Sequence, residues 1–214
     1  MRPNRTGLLA LTTAVVAMAT LIVALTASAA ACGVCGKNLI KNPGAELGRG
    51  VTAVGAFGAV PGWTLAGGQF GAASYTFPNG WYSAKTNGPK GRGKNYFFGG
   101  TTTEAVTAGA SIGTQIIVLP ATAVGRKATL SGWIGNYGQN RTQVRAQFMD
   151  AAGTALSTVR IGPAVTIAGT DMGFRTRFGK VPAGTTQVMV SILFSGGGSN
   201  YKLAGADNLS LVLS

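Results

Sequence analysis

The chain has few side chains that could catalyse a reaction. Its 214 residues include no histidine and only two cysteines, which excludes Ser–His and Cys–His nucleophiles and the usual zinc ligand sets. Two carboxylates could still act as acid and base. The five acids are Glu46, Glu104, Asp150, Asp171 and Asp207. Asp150 opens an Asp-Ala-Ala-Gly sequence that is typical of a hairpin turn, and we expect the protein not to be an enzyme.

Two loops carry groups that are suited to sugars. Sugar recognition uses an aromatic ring to stack on C–H groups and planar amide or guanidinium groups to hydrogen-bond hydroxyls. Both kinds occur in the glycine- and proline-rich segment 77–95 and in or just after the polar loop 135–141. The predicted ligand-binding residues are Trp81, Tyr82, Asn136, Tyr137, Gln139, Asn140, Arg141 and Arg145. The alternative for Trp81 and Tyr82 is that their rings pin the long loop to the domain.

The N-terminus has the pattern of a secretory signal peptide. Arg2 and Arg5 precede an apolar run, residues 8–27, and small residues follow it as far as Ala31. An uncleaved anchor is the alternative, because the run approaches the roughly 20 residues that span a bilayer. The Ala-x-Ala site favours cleavage. We therefore predict a helical signal peptide over 1–31 and a secreted, extracellular mature chain without a transmembrane anchor.

Cys32 and Cys35 follow that cleavage site within a short N-terminal tail, residues 32–37. Outside the cytoplasm, a local Cys32–Cys35 disulfide is the expected state. Lipidation of Cys32 is the alternative, although Ala29 is a poor match to the bulky residue that lipoprotein signals carry at that position.

Charge is unevenly distributed between the two signs. Without Arg2 and Arg5, 16 basic residues face five acids, which leaves a net charge of +11. A field of that sign attracts polyanions and anionic surfaces. The basic residues are scattered singly, and no helix-turn-helix, zinc or RNP pattern accompanies them, so nucleic acid is disfavoured as a partner. A polysaccharide or an anionic cell-wall polymer is favoured.

Period-two alternation predicts strands along the rest of the chain, residues 38–214, which we expect to form one domain. Strand-length segments lie at 38–46, 74–77, 96–98, 114–119, 126–134, 143–149, 155–161, 174–181, 187–194 and 209–213. In one of them, Phe174 and Phe178 alternate with Arg175 and Arg177, which predicts a basic face towards water. Trp63 is expected in the core. Short strands with frequent turns indicate an all-β antiparallel sandwich of the jelly-roll type, with the last strand at its closing edge.

Motifs at both ends resemble those of a known family. They are Asn38-Leu39-Ile40, Asn42-Pro43-Gly44 and Glu46 at the start, Gly62-Trp63 after them, and Ala206-Asp207-Asn208-Leu209-Ser210-Leu211 at the end. They are similar to the opening and closing motifs of galactose-binding-like jelly rolls, which include secreted carbohydrate-binding modules found beside bacterial glycoside hydrolases. The similarity spans about Asn38 to Leu213 and specifies the fold better than the ligand.

The resemblance also implies a metal site. In the family, the opening glutamate and the closing aspartate often meet at a structural calcium ion, which assigns Glu46 and Asp207 as ligands here. Calcium takes six to eight oxygens, which two carboxylates and nearby carbonyls could supply. The alternatives are a salt bridge to Lys41 or Lys37, or an N–H cap in the turn. We expect no organic cofactor.

Together these observations favour a secreted, non-catalytic carbohydrate-binding or cell-surface adhesion module. Relatives tend to carry an acid near the position of Arg141, and the basic residue here favours anionic glycans or wall polymers over neutral sugars. The competing hypothesis is a structural, envelope-associated scaffold without a specific sugar ligand. An accessory domain of glycoside-hydrolase type is a third interpretation.

Overall fold

The computed structural model describes residues 31–52, 58–77, 82–100, 109–163, 171–196 and 203–214. The chain divides into a unit of residues 1–30 and a second unit, Ala31–Ser214. The predicted signal peptide and Trp81 lie outside the described residues. Within those residues, no helix has the length and apolarity needed to cross a membrane.

Ten β-strands and one 3-10 turn, Ala121–Ala123, make up the regular structure of the described residues. The strands are β1 (Thr64–Gly67), β2 (Gly71–Ser74), β3 (Asn95–Phe98), β4 (Ser111–Val118), β5 (Lys127–Asn136), β6 (Asn140–Met149), β7 (Ala155–Ile161), β8 (Met172–Lys180), β9 (Gln187–Gly196) and β10 (Ala204–Leu213). Sheet I has the order β1-β4-β9-β6-β7, and sheet II has the order β2-β3-β10-β5-β8. Neighbouring strands are antiparallel throughout. The predicted all-β antiparallel sandwich is confirmed.

The core lies between the inner faces of the two sheets. On β9, Val188, Val190, Ile192 and Phe194 are fully buried, and each such side chain contributes roughly 1.5–3 kcal/mol through apolar burial. Trp63 is also buried, as predicted, and its ring centroid lies 4.9 Å from that of Phe97. The alternating pattern in the sequence therefore identified the inner face of β9, and the prediction that Trp63 lies in the core is confirmed.

The last strand occupies the centre of sheet II, between β3 and β5, and not its edge as the sequence suggested. β3 pairs only with the first part of β10, at Gly205 and Ala206. Beyond that point the opening segment of the chain runs alongside it: the Leu39 N–H donates to the Leu211 carbonyl at 2.9 Å, and the Leu209 N–H to the Pro43 carbonyl at 3.0 Å. The two ends of the domain are thus joined by hydrogen bonds.

The predicted opening strand, residues 38–46, is a series of turns in the structure. Asn42 and Ala45 have φ angles of 48° and 61°, which are incompatible with an extended strand. The Asn38 side chain replaces the missing strand pairing. Its Nδ2 donates to the Leu209 carbonyl at 2.9 Å, and its Oδ1 accepts from the Leu211 N–H at 3.0 Å.

A second, smaller cluster of buried side chains lies on the outer side of sheet II, beneath the loop between β2 and β3. It consists of Val51, Ala73, Tyr75, Tyr82, Tyr96, Phe98 and Met172. Arg92 holds the described part of that loop, since its guanidinium donates to the carbonyls of Ser83, Thr86 and Pro89 at 2.8–3.1 Å. The loop therefore belongs to the packed structure.

The orientation of β8 differs from the prediction. Phe174 and Phe178 are 51% and 71% exposed on the outer side of sheet II, whereas Arg177 lies opposite the buried Leu130 of β5 and so shares its inward side. Alternation identifies two faces of a strand without saying which one meets water. β8 is an edge strand, and its inward side is open enough to hold arginines.

Replacing Asn38 tests how much the opening segment stabilises the domain. Asn38→Ala removes both side-chain bonds to β10 and should lower the free energy of unfolding by about 1–2 kcal/mol. Denaturant unfolding measures the change. Lys37→Ala, which alters an exposed neighbouring side chain, is the control and should be neutral. Equal destabilisation by the two variants would contradict the assigned role of Asn38.

Candidate functional site

The first candidate site lies where the two ends of the domain meet. The pairing of β10 with β5 is irregular between Asp207 and Ser210, and Asn208 has a φ of 45°. Asp207 lies opposite Trp133 on the outer side of sheet II, where the loop that follows β2 covers it, and its side chain is 0% exposed. Its Oδ2 accepts from the Tyr75 hydroxyl at 2.8 Å and its Oδ1 from the Asn208 N–H at 2.7 Å, both of which are neutral donors.

Glu46 approaches the same place from the opening segment. Its carboxylate oxygens accept the N–H groups of Lys94 and Asn95, each at 2.9 Å. This is the N–H capping arrangement, with the donors in the loop that precedes β3 and not in the turn around Glu46. Gly93 has a φ of 63°, and a Cβ there would lie 2.5 Å from Glu46 Cδ, so the contact requires glycine.

Oxygen-bearing side chains converge on Gly44. A Cβ at this glycine would lie 3.0 Å from Asp207 Oδ1, 3.3 Å from Asn208 Oδ1 and 3.7 Å from Glu46 Cγ. The described residues contain no group of three or more His, Cys, Asp or Glu side chains arranged for a metal. Two carboxylates with an amide oxygen nevertheless match the hard oxygen ligands that calcium takes, so the residues fit the ion.

Burial is the main cause that raises the pKa of Asp207 to about 7, and proximity to Glu46 acts in the same direction. The hydrogen bonds from Tyr75 and Asn208 and the charge of Arg92 oppose this rise. In the absence of a cation, a buried carboxylate of this kind takes up a proton near neutral pH. Burial also raises the pKa of Tyr75, as does the Asp207 charge beside it, so the tyrosine remains a donor.

The second candidate site is the exposed face of β6 in sheet I, which we call the polar face. Arg141, Gln143, Arg145 and Gln147 alternate with buried neighbours and point outwards. The Arg145 Nε donates to the Gln143 Oε1. None of the five strands of sheet I contains an acidic residue. The polar face is therefore positively charged.

One pair on this surface stands out. Arg145 of β6 lies directly opposite Arg160 of β7 in the strand register, so the two side chains share the outer side of sheet I. Like charges at directly opposed positions destabilise a sheet by a few tenths of a kcal/mol to about 1 kcal/mol. The pair does nothing to support the fold, and it forms a concentrated positive site on an exposed surface.

The predicted ligand-binding residues divide into two groups. Tyr137, which is 48% exposed, lies with the exposed Gln139 in the loop that leads into β6, and Arg141 and Arg145 follow on the polar face. The remaining predicted residues are Tyr82, Asn136 and Asn140, which are all buried, and Trp81, which is outside the described residues.

Asn136 and Asn140, also predicted to bind ligand, have side chains that are buried at the ends of β5 and β6. Asn140 Nδ2 donates to the Tyr137 carbonyl at 2.8 Å and shapes the loop. Tyr82 is 1% exposed, and a Cβ at Gly205 would lie 2.7 Å from its ring. Its ring therefore packs on β10 and pins the loop, which was the alternative interpretation.

Three residues on this surface were not predicted: Gln143, Gln147 and Arg160. Gln143 and Gln147 belong to the polar face by the same alternation as Arg145, which could have identified them. Arg160 is a single basic residue in an otherwise weakly patterned strand. Its importance depends on the pairing of β6 with β7, which local sequence does not reveal.

Comparisons with known proteins agree with this architecture. No protein-family model and no curated protein sequence matches the chain. Among solved structures, the family 61 carbohydrate-binding module TmCBM61 in complex with β-1,4-galactotriose aligns over 83% of this chain and 99% of its own, at 14% identity and a TM-score of 0.51. A structure described as family 16 carbohydrate-binding module 2 aligns over 82% of this chain and 99% of its own, at 18% identity and a TM-score of 0.50.

Enzymes share the fold as well. A cyclase from Fischerella sp. aligns over 85% of this chain and 96% of its own, at 19% identity and a TM-score of 0.58. The enzymatically active domain of the bacteriophage CBA120 tailspike protein 4 aligns over 83% of this chain but only 21% of its own, at 16% identity and a TM-score of 0.56. At these identities the likeness is one of fold. The jelly-roll β-sandwich fold that the sequence motifs indicated is confirmed, and solved carbohydrate-binding modules share it.

The buried Asp207 makes the stability of the metal-free protein depend on pH. Its folded-state pKa of about 7 is above its ordinary value of 3.8, so its contribution is fully present below pH 3.8 and is lost as the pH rises to about 7. Over that window the free energy of unfolding should fall by roughly 4 kcal/mol. Urea unfolding in chelator measures it.

Asp207→Asn is the control, because the amide keeps the size of the side chain and cannot ionise. The other carboxylates titrate alike in both proteins, so the difference between wild type and variant isolates Asp207. Parallel pH profiles would contradict the raised pKa.

Proposed function

We propose that the protein is a non-catalytic module that binds an anionic polysaccharide or a cell-surface polymer through the polar face of sheet I. The fold is one that carbohydrate-binding modules use, and the exposed face of a sheet is a natural platform for a long, flat ligand. Fold alone does not define a ligand, so the choice of an anionic one rests on the charges of this face.

The opposed pair Arg145 and Arg160 carries the proposal. Two guanidinium groups are held side by side at a cost to the sheet, and no carboxylate from the strands of sheet I neutralises them. A guanidinium forms paired, charge-assisted hydrogen bonds with carboxylate or phosphate. An anionic group of the ligand would therefore occupy a position where the protein itself has left positive charge uncompensated.

The neighbouring side chains suit a sugar ring. Gln143 and Gln147 can donate to and accept from hydroxyl groups, and the exposed ring of Tyr137 lies in the loop that leads into β6. Aromatic rings stack on the C–H faces of sugars. Trp81 remains a predicted stacking residue.

The acids of the chain support the absence of catalysis. Asp150 Oδ1 accepts the Thr154 N–H at 2.8 Å, in the turn that the sequence predicted. Asp171 accepts two hydrogen bonds from Asn87, at 2.7 and 3.0 Å. Glu46 accepts hydrogen bonds from the N–H groups of Lys94 and Asn95, and Asp207 accepts from Tyr75 and Asn208. Four of the five carboxylates thus have structural partners, and Glu104 lies outside the described residues.

We place the protein outside the cytoplasm. Cys32 and Cys35 are joined by a disulfide in the structure, a bond that persists in oxidising compartments, and the leader of the sequence has the pattern of a signal peptide. Outside the cell, a module that binds surface polymers would also meet its ligand.

Calcium is proposed as a structural ion at the site formed by Glu46 and Asp207, with Asn208 Oδ1 as a further oxygen. When bound, it would supply positive charge beside a buried carboxylate. Asp207 and Glu46 belong to the last strand and the opening segment, so their shared ion would strengthen the junction that closes the domain.

Binding to a glycan array tests the proposed function. We expect saturable binding to uronic-acid or teichoic-type polymers. Arg145→Ala and Arg141→Ala should each weaken it about tenfold, because a charge-assisted hydrogen bond is lost. Lys85→Ala is the matched control, since it removes the same charge from an exposed position in the loop before β3.

The opposite result identifies the competing function. Binding that fades with salt and falls equally in Lys85→Ala and Arg145→Ala would mean loose attachment by net charge, as expected of an envelope scaffold. Hydrolysis of any bound polymer would contradict the non-catalytic assignment.

Melting experiments test the calcium site. Calcium added at neutral pH to protein treated with chelator should raise the Tm by about 5–10 °C once it exceeds its Kd a hundredfold. Asp207→Asn should abolish the response, and Asp171→Asn, which alters a carboxylate outside the site, should keep it. An unchanged Tm in the wild type would rule out the ion.

A further inference from the structure

A groove runs between β7 and β8, the edge strands of the two sheets on the same side of the sandwich. Its volume is about 610 Å³, and its walls are residues 157–163 on one side and 175–180 on the other. A Cβ at Gly179 would lie 2.6 Å from Val159 Cγ2, so the two strands approach closely there. The groove is therefore a feature of the folded sandwich.

The groove is strongly basic. Arg160, Arg175, Arg177 and Lys180 all line it, and none of the described residues that line it is acidic. The Nη1 atoms of Arg175 and Arg177 donate to the main-chain carbonyls of the preceding residues, at 2.9 and 3.4 Å. These hydrogen bonds leave the positive charges without an anionic partner.

The spacing of the arginines suits a repeating ligand. Residues two apart on a strand lie about 7 Å from one another, so Arg175 and Arg177 repeat charge along the groove. Arg160 also belongs to the outer side of sheet I, opposite Arg145. It connects the polar face with the groove, and the basic surface continues around the edge of the sandwich.

An aromatic ring accompanies these charges. Phe178 belongs to the wall of the groove, but its 71% exposed ring lies on the outer side of sheet II, across β8 from Arg175 and Arg177. Lys127 Nζ lies 4.8 Å from the centre of this ring. Phe174, four residues earlier on the same strand, is also exposed. It packs beside Trp133, with 5.8 Å between ring centroids. An acidic sugar could pair its carboxylate with arginine and place its C–H groups on such a ring. A plain polyphosphate chain could use only the arginines.

We propose that the β7–β8 groove is a second binding subsite, which takes acidic sugar residues of a linear polyuronate chain whose neighbouring residues lie on the polar face. This inference rests on the proposed function and adds to it the class of sugar and the path of the chain. Arg175 and Arg177 bind carboxylates inside the groove, and Phe178 provides a stacking surface where the sugar chain leaves the groove over the edge of β8.

The test compares galacturonate oligomers of increasing length by calorimetric titration. The hexasaccharide should bind at least about tenfold more tightly than the disaccharide, because it reaches both subsites. The double variant Arg175→Gln/Arg177→Gln should lose that gain and keep the affinity for the disaccharide. Phe178→Ala should weaken the hexasaccharide and leave the binding of a polyphosphate of equal charge unchanged.

Matched variants separate this inference from the proposed function. If Arg141→Gln/Arg145→Gln abolishes binding while the groove variants bind the hexasaccharide as the wild type does, the groove is not a subsite and the proposed function stands. If the wild type binds no uronate of any length, this inference is wrong, whereas the proposed function fails only if the other anionic polymers of the glycan array also do not bind. If Phe178→Ala binds the hexasaccharide normally, or polyphosphate or duplex DNA binds as tightly as the uronate, the groove is a general anion site and the sugar assignment fails.

Light scattering addresses the remaining interpretation. Inward-pointing charges on an edge strand can have a purely protective role, because they prevent sheets from joining edge to edge. Self-association of Arg175→Gln/Arg177→Gln with unchanged affinity for the hexasaccharide would overturn the proposed subsite in favour of that role. A monomeric variant with the same melting temperature as the wild type and weakened hexasaccharide binding is the expected result.

Discussion

The position of β10 is the constraint on which the rest of the structure depends. The last strand of the chain lies in the middle of sheet II and pairs with β3 on one side and β5 on the other. Sheet II is therefore incomplete until the C-terminus is in place. Pairings between residues so far apart in sequence carry a large entropic cost that only the packed core repays. The Asn38 side chain, which donates to the Leu209 carbonyl and accepts from the Leu211 N–H, adds support for this central strand.

The same strand explains where charge is tolerated. The buried Asp207 carboxylate lies on the outer side of sheet II, beneath the loop between β2 and β3, while the core between the two sheets is built from apolar side chains. Positive charge, in contrast, lies at the surface, on the exposed side of β6 and along the edge strands β7 and β8. A strand at the edge of a sheet can carry arginine on its inward side because water reaches it there, which the centre of the sheet does not permit.

Much of the fold could be predicted from alternation alone, since nine of the ten predicted segments overlap strands. The first segment was the exception: Asn42 and Ala45 adopt positive φ angles, which no strand pattern reveals. The sequence was less informative about side-chain exposure. The burial of Tyr82 depends on how a long loop folds over Gly205 and Gly135, and the pairing of Arg145 with Arg160 depends on the register of two strands. Both are non-local properties, so residue type and spacing could not establish them.

The uncompensated arginines bear on how a ligand would act on the protein. Holding Arg145 opposite Arg160 costs stability that a neutral pair would not, and nothing in the described packing recovers it. A ligand that neutralises the pair stabilises the folded state by its binding energy and by the repulsion it removes. The folded domain is thus less stable than its core would allow, and the deficit is located at the surface. Such a balance is typical of binding sites, where local stability is exchanged for affinity, and it distinguishes this surface from one that is merely solvated.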